Sequence, residues 1–313
     1  MRPTADRALL GIALMVGFTV VVPASDVFAK MAAATLPIGV ILMVRFAVQA
    51  AVLIPLAGAL GVLGRPDRRA LAAHLLRAAL IMGATGALYT AFRVMPLADA
   101  IAIFFVEPFI LTLLGGALLG EAVGWRRLAA CAVGFAGALM IIRPGVAVFG
   151  PVALFPLMTA LFFALYMILT RRIGREQHPI ALQGWTAVAA TALIAPLLAL
   201  FQGSGFGPLD PVMPAGREWG WLAALGLLSA LAHLMVTWAL RVAPAATIAP
   251  LQYLEIVMAT LLGFAVFGDL PDAQTIAGIG VIVASGLYVV RREQAAKARE
   301  AGAIAAARGG PPE

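Results

Sequence analysis

Apolar stretches long enough to cross a bilayer follow one another almost without pause from residue 8 to residue 290. They occupy 8–29, 37–61, 71–92, 97–119, 125–142, 150–170, 180–201, 218–240, 245–267 and 273–290. The hydrocarbon layer is ~30 Å thick and offers no water to backbone N–H and C=O groups, so a chain crosses it as a helix of about 20 apolar residues. The breaks carry turn chemistry: "RPDRR" at 65–69, "RPG" at 143–145, "GPLDP" at 207–211 and "GDLPD" at 268–272. The pattern predicts an all-α polytopic membrane protein with ten transmembrane helices. Composition points the same way: of 313 residues, 63% are hydrophobic and 12% charged. Soluble domains hold about half and about a quarter, respectively.

Arg2 and Arg7 precede the first run, and "VFA" before Lys30 resembles a leader cleavage site. Because apolar segments continue to residue 290, we read the first run as a membrane helix. Cys131 is the sole cysteine, which excludes an intramolecular disulfide.

Lys and Arg set the orientation. With the N-terminus inside, seventeen fall on the inner side, among them Arg65, Arg68, Arg69, Arg77, Arg126, Arg127, Arg171, Arg172 and Arg175. Four fall outside: Lys30, Arg93, Arg143 and Arg217. This bias predicts both termini in the cytoplasm. The net charge of +7 then reflects topology and anionic lipid contact, not nucleic-acid binding, because the basic residues are scattered over loops. Residues 292–313 read as a basic cytoplasmic tail touching lipid headgroups.

The chain also repeats itself at an offset of 148. "AFRVMP" at 91–96 matches "ALRVAP" at 239–244; Arg93, Pro96, Glu107, Gly120, Glu121 and Arg143 fall on Arg241, Pro244, Glu255, Gly268, Asp269 and Arg291. Five spans per half is an odd number, so the halves, 1–148 and 149–291, cross the membrane in opposite senses. Inverted repeats of this kind belong to secondary transporters, where two similar halves exchange conformations around a midplane site.

Several stretches are similar to the drug/metabolite transporter superfamily, specifically its ten-helix EamA-type members. They are "RF" at 45–46, "PLADAIAIFFVEPFILTLLGGALLGE" at 96–121, "RPG" at 143–145 and "FGD" at 267–269. The resemblance covers roughly residues 8–291. It implies a ten-helix bundle with cytoplasmic termini and a central cavity lined mainly by the third, fourth, eighth and ninth spans. It implies no particular substrate.

An ionisable residue inside a span is costly and marks a functional candidate. Glu107 and Glu255 each lie about 15 Å deep, near the midplane. One reading is a carboxylate that exchanges a proton or a cationic group during transport; the other is an interhelical polar pair, for example with Arg45. Ser229, His233, Thr237 and Arg241 recur every four residues on the eighth segment, and Thr85, Tyr89 and Arg93 on the third. Such stripes suit a hydrated cavity wall or interhelical hydrogen bonds. Phe104 and its counterpart Gln252 precede the two glutamates by one turn. Tyr89, Phe92, Tyr166, Trp238 and Tyr253 can stack on a planar or cationic ligand or serve packing and the interfacial belt. The substrate-site expectation is therefore Glu107, Glu255, Thr85, Tyr89, Phe104, His233, Thr237, Trp238, Gln252 and Tyr166.

Other polar residues read as structural: Asp26 as an i,i+4 partner of Lys30, Arg45 as one half of an ion pair with Glu107 or Asp26, and Asp99 and Thr247 as helix caps. Glu121 and Asp269 read as turn anchors, and Gly116 to Gly120 as a close-packing GxxxG stripe.

His74, His178 and His233 are far apart without metal-ligand spacing, and no phosphate-binding loop is present. No metal, cofactor or catalytic residues are expected, and the chain reads as a non-enzyme. The expectation is a secondary active exporter of small organic metabolites, such as amino acids or related amphipathic solutes. It works by alternating access in a bacterial inner membrane, as a monomer, with protons as coupling ion or by exchange. Efflux of drugs or cationic compounds is the alternative; an intramembrane enzyme or a scaffold are the opposing classes.

Overall fold

The computed structural model describes residues 5–119, 129, 132–137, 139–140, 149–173, 177–242, 251–252, 254–285, 287–288, 291 and 295. The readings made for Cys131, Gly120, Glu121, Arg143, Thr247, Tyr253 and most of the 292–313 tail lie outside them, as do those for the side chains of Thr237, Arg241 and Gly116.

Helices make up the described residues, with no strand among them. They are α1 (Ala5–Ala33), α2 (Ile38–Ala59), α3 (Arg68–Phe92), α4 (Leu97–Phe104), α5 (Glu107–Leu119), α6 (Phe155–Ile173), α7 (Pro179–Phe201), α8 (Gly216–Val242), α9 (Leu254–Phe267) and α10 (Ala273–Ser285). Residues 132–137 are helical as well. Among the described residues, six helices are long and apolar enough to cross a membrane. α4 and α5 divide the fourth apolar segment, which the sequence presents as one unbroken run. Pro108 explains the break. It brings no N–H for the Phe104 carbonyl, and its ring crowds that carbonyl. The chain spends Phe105 and Val106 in a turn, and α5 restarts at Glu107.

Polar side chains at several breaks fix the ends. Asp67 caps α3 by accepting from the Ala70 N–H at 2.7 Å, and His178 Nδ1 accepts from the Ile180 N–H at 3.4 Å at the start of α7. Asp210 accepts from the N–H groups of Gly203 and Gly205, whose φ of 73° and 72° suits residues without a Cβ.

The helices pair in a pattern that reproduces itself when the first five apolar segments are exchanged for the last five. α1 lies along α8, and α3 along α6. α5 packs on α6, and α9 on α1. α2 meets α7, and α4 meets α9. Gly137 approaches Val281 and Ile282 of α10, and the Met140 carbonyl accepts from Gln274 Nε2. Each contact therefore has a counterpart or maps onto itself.

The main core joins Phe46 of α2, Tyr89 and Phe92 of α3, Ile101 and Ile103 of α4, Tyr166 of α6 and Leu222 and Leu225 of α8. Leu113, Leu197, Leu227, Val257, Leu261 and Phe264 are exposed, as lipid-facing side chains would be. Small residues bring backbones close: a Cβ on Gly226 of α8 would run into Val48 of α2, with the Arg45 carbonyl 3.3 Å away.

Candidate functional site

Both glutamates stand in the first turn of a helix that begins inside an apolar segment. Glu107 opens α5. Glu255 is in the first turn of α9, after a 3-10 turn at 251–252. The two glutamates share a position in the 148-residue repeat; Pro108 follows the first, and Pro250 precedes the turn before the second. A half-helix that begins inside the bundle points unsatisfied N–H groups and its positive dipole end inward. Such discontinuous helices are where transporters bind substrates and ions.

A first polar network joins α1, α2, α3 and α8 around Arg45. Its Nε donates to Ser229 Oγ at 3.2 Å, and Ser25 and Ser229 share a 2.9 Å hydrogen bond. The guanidinium carbon lies 5.1 Å from the Phe46 ring centre and 5.7 Å from that of Tyr89. Arg45 is 6% exposed, and its Nη1 is buried without a hydrogen-bond partner. One turn further along α2, Gln49 is fully buried with both amide atoms unpartnered. Asp26 of α1 lies within Coulombic reach of Arg45, Tyr89 and Glu255. No ion pair joins Asp26 to Arg45 among the described residues.

A second network joins α3, α6 and α7 around Arg77. Nε donates to Thr170 Oγ1 at 3.1 Å, and Nη1 to the Leu182 carbonyl and Thr186 Oγ1 at 3.2 and 2.6 Å. Nη2 donates to the Tyr166 hydroxyl at 2.7 Å, which in turn donates to Gln183 Oε1 at 3.1 Å. The guanidinium also lies over the Tyr166 ring, 4.7 Å from its centre. Arg77 is 2% exposed, so it is a residue of the bundle interior and drops out of the cytoplasmic charge tally.

At the bundle end where α1 finishes, Lys30 Nζ meets Asp269 Oδ2 at 2.7 Å and the Met95 carbonyl at 3.1 Å, and lies over the Phe267 ring. Lys30 is therefore not the helix partner of Asp26, and Asp269 is an interhelical contact rather than a turn anchor. Arg45 uses a serine and two rings instead of a carboxylate. Asp99 is in the first turn of α4 but makes no cap hydrogen bond; the N-cap position is Pro96.

Of the residues expected to line a site, Tyr89, Glu255 and His233 are near the Arg45 network; His233 Nδ1 shares a 2.7 Å hydrogen bond with the Ser229 carbonyl. Thr85 is on the same helix as Tyr89, and its hydroxyl donates back to the Ile81 carbonyl at 2.8 Å. Phe104 ends α4 and packs edge-on against Phe105 and Phe163. Tyr166 belongs to the Arg77 network, Gln252 is in the turn before α9, and Trp238 is 48% exposed on α8. Sequence reasoning missed Gln49 and the roles of Asp26, Ser25 and Arg77. The one available signal was a spacing of four between Arg45 and Gln49 inside an otherwise apolar helix.

Apolar helices of membrane length, a pairing that survives exchange of the halves and two helices that begin inside apolar segments with a carboxylate in the first turn define a polytopic membrane protein of the transporter type. The chain belongs to the EamA-like transporter family, whose model matches residues 9–143 and again 150–291. A pseudopaline exporter, CntI, of Pseudomonas aeruginosa is 30% identical over 294 residues, covering 90% of this chain and 96% of the relative. A riboflavin transporter of Vibrio cholerae is 28% identical over 270 residues, 85% of this chain and 87% of that one. An S-adenosylmethionine uptake transporter of Rickettsia felis is 25% identical over 228 residues, 72% and 74% of the two chains. A solved crystal structure shares the fold with a TM-score of 0.61 at 22% identity, over 92% of this chain and 98% of the other.

Proposed function

We propose that this protein is a secondary transporter of small organic solutes in a bacterial inner membrane. Ten spans form two inverted five-helix repeats, 1–148 and 149–291, with both termini cytoplasmic. The halves alternate in opening a midplane site to the two sides. The observation that carries this reading is a pair of helices that begin inside apolar segments with a glutamate in the first turn, Glu107 and Glu255, related by the 148-residue repeat. Matched helix contacts under exchange of the halves support it, because alternating access needs two near-equivalent arrangements.

Net export is the direction, supported by the exporter of Pseudomonas aeruginosa that matches 90% of this chain. The substrate is an amphipathic metabolite of amino-acid type, bound near Glu107, Glu255, Tyr89, Thr85 and His233. Coupling runs through protons or exchange. Efflux of purely cationic compounds is the second reading; Asp26, Glu107 and Glu255 favour it, and the buried cations Arg45 and Arg77 oppose it.

The test is flux in proteoliposomes against a solute panel that includes S-adenosylmethionine and riboflavin, with and without an imposed pH gradient. Flux is expected for at least one solute and is expected to fall at least tenfold in Glu107→Gln and Glu255→Gln. Absence of flux for the whole panel would remove the transporter reading. Unchanged flux in both variants would remove the carboxylates from the mechanism.

A further inference from the structure

Two helix triplets are equivalent under exchange of the halves. One is α1, α2 and α8; the other is α6, α7 and α3. Each holds one buried arginine, Arg45 and Arg77, but the two are treated differently. Every donor-bearing nitrogen of Arg77 has an oxygen partner from threonine, tyrosine or backbone. The Arg77 guanidinium is thus satisfied without a ligand, although Gln183 Nε2 at the edge of its network is buried without a partner. Around Arg45 the guanidinium itself is not satisfied: Arg45 Nη1 is buried with no partner, and so are Gln49 Nε2 and Gln49 Oε1 one turn away. Unpaired buried donors and acceptors are costly, and a ligand that pairs with them removes that cost.

We propose that Arg45 and Gln49 bind the carboxylate of a zwitterionic, amino-acid-like solute, whose ammonium group sits between Asp26 and Glu255. Arg45 and Gln49 are one turn apart on the same face of α2, so Nη1 and Nε2 can each meet one carboxylate oxygen. Asp26 and Glu255 lie within Coulombic reach of each other on α1 and α9, and no hydrogen bond reaches either carboxylate among the described residues. A cation between them offsets their mutual repulsion. Tyr89, whose ring already faces the guanidinium, closes the site on the α3 side. Arg45 remains without a direct ion pair because a solute must be able to enter and leave. This assignment rests on the transporter reading and narrows its substrate class. It favours solutes carrying both an ammonium and a carboxylate over a neutral ring system such as riboflavin.

The test uses the full chain in phosphatidylcholine nanodiscs, with thermal unfolding followed by tryptophan fluorescence. The probes are L-methionine and S-adenosylmethionine, against 3-methylthiopropylamine, 4-methylthiobutanoate, decarboxylated S-adenosylmethionine and riboflavin. At least one zwitterion is expected to raise the Tm, with its one-ended analogues roughly tenfold weaker or worse in apparent affinity. Gln49→Glu places a permanent carboxylate beside Arg45. It is expected to fold with an unchanged or higher Tm and to lose all ligand protection. Arg45→Lys is expected to retain weakened protection, because one ammonium replaces a planar fork.

Protection by no probe, equal protection by the one-ended analogues, or protection that survives in Gln49→Glu would each overturn the proposal. A Tm rise on changing to phosphatidylethanolamine nanodiscs, present in the wild type and absent in Gln49→Glu, would assign the site to a lipid headgroup and also overturn it. Flux separates this proposal from the reading beneath it. Zwitterion protection without flux would remove transport and leave the subsite. Riboflavin flux untouched by Gln49→Glu would keep transport and remove the subsite.

Discussion

Lys30 and Asp269 are 239 positions apart in the chain, and their charged atoms meet at 2.7 Å. The contact ties the end of α1 in the first half to the turn between α9 and α10 in the second. It is part-exposed, at 15% and 32% for the two side chains, so it contributes only about 0.2–1 kcal/mol to stability. Under the alternating access proposed above, its position makes it a clasp between halves that separate when the site opens at that end.

The clasp predicts a kinetic effect with little thermal one. Lys30→Ala and Asp269→Ala should shift the Tm by no more than a few degrees and change the flux rate several-fold. The exchanged pair, Lys30→Asp with Asp269→Lys, should return the rate toward wild type. Cysteines at both positions in a Cys131→Ala background should stop flux on oxidation and release it on reduction. Oxidised protein that transports normally would show that this end never opens there. Glu121 occupies the repeat position of Asp269, so if the halves are inverted as proposed, Glu121→Ala should alter the rate of the opposite opening step.

The break before Glu107 has a distinct prediction. Pro108→Ala restores the missing N–H and removes the ring, allowing α4 and α5 to join. Hydrogen exchange over residues 104–109 should slow, because amides now in a turn gain helical partners. Flux should fall at least tenfold, since Glu107 would no longer stand at a helix start. If exchange is unchanged, Pro108 is not what holds the helix open.

Asp272 precedes α10 and accepts from the Thr275 N–H at 2.6 Å. That hydrogen bond from the backbone holds its carboxyl below the usual carboxylate range. Because the folded pKa is depressed, the stabilisation is present above the ordinary carboxylate pKa of about 3.9. It is lost as pH falls through the folded value. Melting curves of Asp272→Asn, which keeps the cap acceptor without the charge, should lose this acid-side drop. Asp272→Ala should cost about 1 kcal/mol at neutral pH.

Much of this was legible in the sequence because lipid imposes length and polarity on every segment. The ten apolar runs and the 148-residue register needed no three-dimensional information. Long-range partners were not legible. Lys30 has a carboxylate four residues away in Asp26, and nothing in the chain reveals that Asp269 is closer in space. Arg77 looks like a cytoplasmic charge because charge alone does not tell a loop-facing arginine from one folded into a bundle; Thr170, Tyr166, Leu182 and Thr186, which surround it, come from the other half. The interruption at 105–106 did leave a trace in Pro108, but hydropathy runs through it unchanged. Gln49 was invisible because one amide in an apolar helix carries no pattern until Arg45 is seen beside it.

Arg77 should behave oppositely to Arg45 when replaced. Its four nitrogen–oxygen contacts join α3 to α6 and α7, so Arg77→Ala leaves the Tyr166, Thr170 and Thr186 hydroxyls and the Leu182 carbonyl without their shared donor. Some of these oxygens keep other partners: Thr170 and Thr186 also bond backward within their own helices. The loss should still reach about 3 kcal/mol, as expected when a buried network loses its central member. Arg77→Lys should recover only part of it, because a single ammonium cannot span acceptors on two helices the way a planar guanidinium does. Unfolding of purified protein in detergent, scored beside Gln49→Glu, separates the two networks. A Tm drop in Arg77→Ala with retained ligand protection at lower temperature marks a structural cation. Loss of protection with an unchanged Tm would instead place Arg77 in the binding site.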